Sequence, residues 1–238
     1  MKKLLLSFAL ISQIFAQDIL KIGTTSGYAP FEYIQNDELV GFDIDLVNEI
    51  AKILDIKIEY KVMDFDGLIN ALKAKKIDVI AAGMNKTEQR AKSVEFSNPY
   101  YLGMNYFVKL KDNDKFNNIE DLEKGAIFGT QIGTLQAEEL SNIKGVKPYL
   151  NAELIVLVLA TINKKIDGFL LEAAVAKGYM KSYPELKVFA KKEIKGSGAS
   201  FAFDKGNTKL RDNFNKALDI LKENGTYLKL LKKYNLDN

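Results

Sequence analysis

The chain has 238 residues, with 34 lysines and arginines against 31 aspartates and glutamates, and a formal net charge of +3 at pH 7. It contains no histidine, cysteine or tryptophan, which excludes histidine acid–base catalysis, a cysteine nucleophile and metal sites built from those residues. The near-neutral charge gives no indication of nucleic-acid binding. We expect no cofactor and no metal.

The first residues have the order of a secretory signal. Lys2 and Lys3 precede an apolar run over residues 4–15, and the small residue Ala16 follows, which predicts a signal peptide over residues 1–16. The run is shorter than the ~20 residues of a membrane span, so the alternative is a buried N-terminal strand or helix. Since no cysteine near Ala16 is available to carry a lipid, we expect a soluble protein exported to the periplasm.

Strand and helix patterns alternate along the rest of the chain, which predicts an α/β fold built from βαβ units. In the first half we predict a strand over 19–24, a hairpin-like stretch over 35–38, a helix capped by Asp43, a strand over 56–62, a helical stripe over 65–72 and a buried strand over 77–82. The second half repeats this order, with strands over 126–130, 146–150 and 166–171 and helices over 134–140, 152–163 and 172–180.

One internal similarity indicates two related lobes. Residues 71–80 and 160–169 both pass through a Lys-Lys-Ile-Asp segment before an apolar strand. Chance is one explanation, because helix ends and strands share composition, but two lobes of similar topology produce it more naturally. Ligands in such lobes bind beyond the carboxyl ends of the strands, which points to residues 82–85 and 171–172.

Arg90 is the first candidate for a ligand contact. Thr87 is suited to be a helix N-cap, which places Arg90 on the first helical turn after a strand end. A guanidinium matches a carboxylate with two parallel hydrogen bonds. The alternative for this arginine is a surface ion pair.

The second half offers an anion site and a buried acid. Gly133 and Thr134 open a helix after a strand, where backbone N–H groups can meet an anion; a plain turn explains the glycine equally well. Glu172 ends an apolar strand, and a buried carboxylate needs a nearby cation. That cation is either a ligand ammonium or a neighbouring lysine.

Aromatic residues are candidates for pocket walls, although core packing is the more usual role of such side chains. A pocket with an arginine in one half of the chain and a glutamate in the other suits a zwitterion. The aromatic candidates are Tyr28, Phe31, Phe65, Tyr100 and Tyr101.

Several motifs resemble those of the polar amino-acid family of periplasmic solute-binding proteins, which includes the histidine, lysine/arginine and glutamine receptors of ABC importers. The resemblance runs from about Ile19 to the C-terminus. The matching segments are Gly-Tyr-Ala-Pro-Phe-Glu at 27–32, Gly-Phe-Asp-Ile-Asp-Leu at 41–46, Ala-Gly-Met at 82–84 with Thr87 and Arg90, Phe-Ser-x-Pro-Tyr-Tyr at 96–101, Gly-Thr at 133–134 and Asn-Gly-Thr-Tyr at 224–227.

This resemblance implies a two-lobe α/β fold of the type II periplasmic-binding kind, with two chain crossings at a hinge. The first lobe is expected to contain residues 17–105 and 199–238, and the second lobe residues 106–198. The resemblance also implies a monomeric receptor that closes on a free amino acid and delivers it to an inner-membrane ABC permease.

By position, Arg90 resembles the family's carboxylate-binding arginine, helped by the backbone N–H groups of Asn85 and Leu135. Glu172 stands where the family has the acid that receives the α-ammonium, and the carbonyl of Gly83 is expected to assist it. The other implied contacts are Tyr28 and Phe65 around the ligand side chain, with Ala82, Gln131 and Thr134 at the border of the site.

Three departures from the family pattern bear on the choice of amino acid. Thr25 stands where several lysine and arginine receptors carry an aspartate for the distal cation. Asn85 and Leu135 replace residues that frequently carry hydroxyl groups, so two hydroxyl contacts are lost while the backbone donors remain. Lysine, arginine and glutamine are the expected ligands.

The rival function is enzymatic, because periplasmic cyclohexadienyl dehydratases are similar to this family in fold. In such an enzyme Glu172 would be a general acid with a raised pKa. The pairing of Arg90 with Glu172 already accounts for a free amino acid, so we favour the receptor. A sensory domain is disfavoured, since no signalling segment follows Tyr234.

Overall fold

The computed structural model describes residues 19–194 and 198–237. The signal peptide predicted over residues 1–16 lies outside these residues. Within the described part, the strands form two five-stranded sheets and one small three-stranded sheet.

The first large sheet is built around β1. Its strands in spatial order are β5 (Ile58–Val62), β1 (Leu20–Thr24), β6 (Val79–Ile80), β13 (Ala202–Asp204) and β7 (Val94–Phe96). β1 is parallel to β5 and β6, whereas β13 is antiparallel to both of its neighbours. Four strands therefore point the same way, and their carboxyl ends meet at one edge of the sheet.

The second large sheet repeats this arrangement around β9. Its strands in spatial order are β10 (Lys147–Asn151), β9 (Ile127–Gln131), β11 (Gly168–Glu172), β8 (Met104–Leu110) and β12 (Leu186–Glu193). β9 is parallel to β10 and β11, and β8 is antiparallel to its two neighbours. The two sheets therefore share one topology.

Two chain segments cross between the sheets, from β7 to β8 and from β12 to β13. They lie side by side: Ala199 N–H donates to Tyr101 O at 2.8 Å, and Tyr100 N–H donates to Ala199 O at 2.8 Å. The predicted two-lobe fold with two crossings is confirmed. We call the unit around β1 the first lobe and the unit around β9 the second lobe.

Helices cover both sheets, and a hairpin completes the first lobe. The hairpin expected over 35–38 is present, with positive φ at Asn36 and Asp37 as a two-residue turn requires. The remaining strands and α-helices are β2 (Gly27–Tyr28), β3 (Glu32–Gln35), β4 (Glu38–Val40), α1 (Phe42–Leu54), α2 (Leu68–Lys73), α3 (Glu88–Ala91), α4 (Leu135–Asn142), α5 (Leu154–Ile162), α6 (Ala173–Ser182), α7 (Thr208–Glu223) and α8 (Thr226–Lys233). Two short 3-10 helices cover Phe65–Gly67 and Glu120–Lys124.

Asp43 does not cap α1, so that prediction was wrong. The helix begins at Phe42, and its N-cap position is Gly41. Asp43 is fully buried, and its Oδ2 accepts hydrogen bonds from Gly83 N–H at 2.7 Å and from the Tyr100 hydroxyl at 2.6 Å. The helix starts two residues earlier than expected, so Asp43 lies in its first turn among the buried residues Phe42 and Ile44, and the acid points into the lobe interior.

Candidate functional site

Two adjoining cavities lie where the carboxyl ends of the two sheets face each other. Their volumes, counted to the open mouth, are about 320 and 260 Å³. Both cavities are lined by Tyr28, Gly83 and Asn85, so they form one continuous cleft. The first is completed by Phe65, Ala82, Arg90, Gln131, Thr134, Leu135 and Gln136, and the second by Phe31, Tyr101, Gly103, Glu172, Ile194 and Ala199.

Arg90 reaches from the first lobe to the second. Thr87 caps α3 as predicted, since its Oγ1 accepts Arg90 N–H at 3.1 Å. The guanidinium donates from Nη1 to Asn85 O at 2.8 Å and from Nη2 to Gly133 O at 2.9 Å. Its Cζ lies 5.5 Å from the centre of the Phe65 ring. The alternative of a surface ion pair is not supported, because no salt bridge within the described residues includes Arg90.

The charge of Arg90 is costly to bury but is retained. Burial lowers the pKa of Arg90 to about 10, and the charge of Glu138 partly opposes this shift. A guanidinium with that pKa is still protonated at neutral pH. It has five N–H donors, and two carbonyl contacts leave donors for a further anion.

The turn after β6 is held by a buried acid. Gly83 has a φ of +56°, a conformation that glycine adopts without strain, and its N–H is fixed by Asp43. Burial raises the pKa of Asp43 to about 7. Burial and the charge of Asp43 raise the pKa of the neighbouring Glu32 well above its usual value. We therefore expect one of these two acids to stay protonated near neutral pH.

Glu172 stands at the end of β11 and at the N-cap of α6. Its Oε2 accepts N–H groups of Ala174 at 2.6 Å and Val175 at 3.3 Å, and its Oε1 lies 3.5 Å from the donating hydroxyl of Tyr101. Burial raises the pKa of Glu172, while these N–H groups partly oppose the shift. The neighbouring-lysine alternative is not supported, because no salt bridge within the described ranges includes Glu172.

The aromatic candidates divide between cleft and core. Tyr28, Phe31, Phe65 and Tyr101 line the cavities, and Phe31 packs edge-on against Tyr101 with ring centres 5.1 Å apart. Tyr100 is 2% exposed and belongs to the core of the first lobe. For this residue the usual core role is the correct one, and Phe31, which is 1% exposed, combines that core role with its place in the lining of the second cavity.

The second lobe contributes the start of α4. Thr134 is its N-cap, accepting Ala137 N–H at 3.3 Å, and its hydroxyl donates to Gln131 O at 2.6 Å. Leu135 is the first helical residue, so its N–H has no acceptor within the helix. Gln131 donates from Nε2 to Ala152 O at 3.1 Å, which leaves its amide oxygen as an acceptor beside the cleft.

Thr25 is the one proposed contact that the structure does not bring into either cavity lining. It is 6% exposed, and its hydroxyl donates to Glu32 Oε1 at 2.8 Å. This hydrogen bond directs the Thr25 hydroxyl to the buried carboxyl of Glu32.

Sequence reasoning missed four lining residues, namely Gln136, Gly103, Ile194 and Ala199. Gln136 is 5% exposed and donates to Asn105 Oδ1 at 2.9 Å. Its position directly after Leu135, in the first turn of α4, was an available signal. Gly103, Ile194 and Ala199 lie in the crossing segments, and no local pattern marks them.

Among residues 19–194 and 198–237, no group of three or more acidic, histidine or cysteine side chains is arranged to hold a metal ion. No helix in the same ranges is long and apolar enough to cross a membrane. The expected lack of a cofactor stays a prediction.

Comparisons with known proteins agree with one another. A family model described as bacterial extracellular solute-binding proteins, family 3, matches residues 20–237. A "Probable histidine-binding protein" of Campylobacter jejuni is 44% identical over 219 residues, 92% of this chain and 85% of the relative. The arginine-binding extracellular protein ArtP of Bacillus subtilis is 39% identical over 220 residues, 90% of this chain and 85% of the relative. A solved structure of an ancestral arginine-binding protein bound to arginine has a TM-score of 0.86 at 37% identity, covering 91% of this chain and 97% of that one.

Proposed function

The chain belongs to the bacterial extracellular solute-binding proteins of family 3, and we propose that it is a periplasmic receptor that binds a polar or cationic amino acid for an inner-membrane ABC permease. Arginine, lysine and glutamine are the proposed ligands. We place arginine first because two of the similar proteins bind arginine by name. The observation that carries the proposal is that Arg90 and Glu172 face one cleft from opposite lobes, each without an ion pair among the described residues.

Arg90 is proposed to bind the ligand's α-carboxylate. Its planar guanidinium is already fixed by two carbonyl acceptors, so little side-chain freedom is lost when a carboxylate binds its remaining donors. The N-terminus of α4, opposite Arg90, adds the N–H of Leu135 and a positive partial charge. Both contributions favour an anionic group in the first cavity.

Glu172 is proposed to receive the α-ammonium in the second cavity. Its Oε2 accepts two backbone N–H groups, whereas Oε1 makes a long contact with the Tyr101 hydroxyl, and the backbone N–H of Met104 also favours the charged carboxylate. A buried carboxylate with a free acceptor is stabilised by a cation, and an ammonium supplies that cation with three donors. The carbonyl of Gly83, which lines both cavities, is a second acceptor for it.

The amino acid would then link the two lobes. Its carboxylate contacts the first lobe and its ammonium the second, so it binds the closed state better than the open state and increases the closed population. We place the hinge near residues 105 and 199. Closure creates a surface that spans both lobes, which an ABC permease can distinguish from the open form.

Calorimetric titration of the wild-type chain with each common amino acid tests the proposal, together with the variant Arg90→Ala. We expect binding of at least one proposed ligand, and a loss of at least about 2 kcal/mol in Arg90→Ala because the carboxylate is left poorly paired in a desolvated cleft. Arg211→Ala is the matched control, since Arg211 forms surface ion pairs with Glu95 and Asp212. Wild-type affinity in Arg90→Ala would remove this residue from the site.

The same preparation tests the enzymatic rival. Incubation with prephenate or arogenate, followed spectroscopically, is expected to give no product, because the paired charges account for a bound amino acid without a chemical step. Turnover that disappears in Glu172→Gln would overturn the assignment as a receptor alone.

A further inference from the structure

Gly133 is a point where the two lobes touch. It precedes the N-cap of α4 in the second lobe and has a φ of +77°. A Cβ atom added there would lie 2.7 Å from Asp66 Cβ and 3.1 Å from Asp66 Cα. Asp66 belongs to the short turn Phe65–Gly67 of the first lobe. The backbone of the second lobe therefore approaches the first lobe more closely than any side chain at residue 133 allows.

The close contact at Gly133 does not come from the topology that the two lobes share. Asp78 N–H donates to Lys21 O and Asp167 N–H donates to Ile127 O, each at 2.8 Å, which makes Lys21 and Ile127 equivalent. Six residues further along the chain stand Gly27, at the start of β2, and Gly133, before α4. A Cβ added at Gly27 would meet nothing within 4 Å. The crowding at Gly133 comes from the opposite lobe alone.

A second contact joins the same residue to the first lobe. Arg90 donates from Nη2 to Gly133 O at 2.9 Å. The carbonyl and the α-carbon of one glycine thus meet two different segments across the cleft. Since all of these partners lie in the first lobe, opening the lobes would break both contacts together.

We propose that Gly133 is the stop against which the lobes close, so that the absence of a side chain at this position sets how much of the closed state is populated and how tightly the amino acid binds. Gly133 is a positioning residue in this role: it acts through the distance between the lobes. This inference rests on the proposed receptor function. A receptor whose competent state is less populated shows a proportionally weaker apparent affinity.

The variant Gly133→Ala tests the stop, with calorimetry for affinity and small-angle X-ray scattering for closure. We expect an affinity about tenfold or more weaker than wild type, and a smaller decrease in radius of gyration on adding ligand. Gly225→Ala is the matched control, because Gly225 has a φ of +78° and a Cβ there would meet nothing within 4 Å. It carries the same backbone strain without the contact, so its affinity should equal that of wild type.

A second substitution separates the contact from a folding defect. In Gly133→Ala with Asp66→Gly, the nearest clashing atom is removed, and we expect affinity and closure to recover in part. The inference is overturned if Gly133→Ala binds like wild type, or if it binds weakly yet closes fully on ligand. If the wild-type chain binds no amino acid, the receptor proposal fails as well. If the wild-type chain binds an amino acid and Gly133→Ala binds it equally well, only the proposed role of Gly133 is wrong.

Discussion

The two lobes end equivalent helices in the same way. After α2, Lys75 has a φ of +56°, and after α5, Lys164 has a φ of +56°. Lys75 N–H donates to Leu72 O and Lys76 N–H to Ala71 O; in the second lobe Lys164 donates to Thr161 O and Lys165 to Ala160 O. Both are Schellman endings. The Lys-Lys-Ile-Asp segment found in both lobes therefore marks a repeated structural unit.

The repeat continues into the strands. Asp78 accepts Lys21 N–H at 2.8 Å, and Asp167 accepts Ile127 N–H at 2.9 Å. Gly23 and Gly129 lie two residues further along β1 and β9. Each packs against the isoleucine of its own Lys-Lys-Ile-Asp segment, Ile77 or Ile166. Each glycine opens a Gly-Thr-x-x-Gly sequence, over 23–27 and 129–133, which was a second internal signal.

The lobes differ at the carboxyl ends of β6 and β11. In the first lobe the strand is followed by the Gly83 turn and the short helix that carries Arg90. In the second lobe Glu172 ends the strand and caps the next helix without a turn. The shared architecture positions both ends at the cleft, and the few residues after each strand decide which charge is offered to a ligand. The changes below test this difference between the two strand ends, in decreasing order of the effect that we expect.

Glu172→Gln should nearly abolish ligand binding while the second lobe stays folded. The amide keeps an oxygen acceptor for the N–H groups of Ala174 and Val175 but loses the negative charge. We expect a loss of about 2–5 kcal/mol in binding free energy, as for one partner of a buried charge pair. Titration calorimetry measures it, and circular dichroism checks the fold.

Glu153→Gln is the control for this change. Glu153 also occupies an N-cap in the second lobe but is exposed and makes no side-chain cap. Equal losses from both substitutions would indicate a general effect of charge, and Glu172 would then not be the ammonium partner.

Local patterns identified the two-lobe topology, while the errors arose from long-range contacts. The repeated Lys-Lys-Ile-Asp segment can be recognised from sequence because a helix ending and the strand after it are adjacent along the chain. Asp43 was misassigned because its true partner, Gly83, lies on another element. Thr25 hydrogen-bonds Glu32 and is in neither cavity lining, so its place in the site stays a prediction. Only the fold brings Asp66 to Gly133. The strand expected over 77–82 shortens to Val79–Ile80, although its flanking residues remain mostly buried.

Substituting the equivalent glycines should destabilise both lobes through the same contact. In Gly23→Ala the new Cβ would lie 2.2 Å from Ile77 Cδ1, and in Gly129→Ala it would lie 2.8 Å from Ile166 Cδ1. We expect each to lower the free energy of unfolding by about 1–3 kcal/mol, with the larger loss for Gly23→Ala. Urea denaturation measures both.

Gly178→Ala is the matched control for these two variants, since a Cβ at this position inside α6 would meet nothing within 4 Å. It should be neutral or raise stability by up to about 1 kcal/mol. A loss of stability in Gly178→Ala as large as in the strand variants would argue against crowding as the cause.

Asp78→Ala and Asp167→Ala should cost nearly the same stability. Each removes one carboxylate acceptor from a backbone N–H at the start of β1 or β9, with an expected loss of about 1 kcal/mol. Asp167 also lies 3.9 Å from the exposed Lys115, a pair that adds little. Thermal unfolding at one pH compares the two, and Asp78→Asn, which keeps an oxygen acceptor, should recover most of the loss. A large difference in stability loss between Asp78→Ala and Asp167→Ala would mean that the two lobes are energetically equivalent only at the helix endings.

The smallest effect is expected at the two lysines with positive φ. Lys75→Gly and Lys164→Gly place glycine at the position after the helix C-cap, where it adopts φ near +56° without a Cβ clash. We expect each to raise stability by up to about 1 kcal/mol, less the greater entropy that glycine gives the unfolded chain. Lys73→Gly, inside the last turn of α2, should instead lower stability by about 1 kcal/mol. A loss of stability in Lys73→Gly with gains in Lys75→Gly and Lys164→Gly would show that backbone geometry, and not the lysine side chain, defines the repeated helix ending. A loss of stability in both Lys75→Gly and Lys164→Gly would mean that the lysine side chains themselves stabilise it.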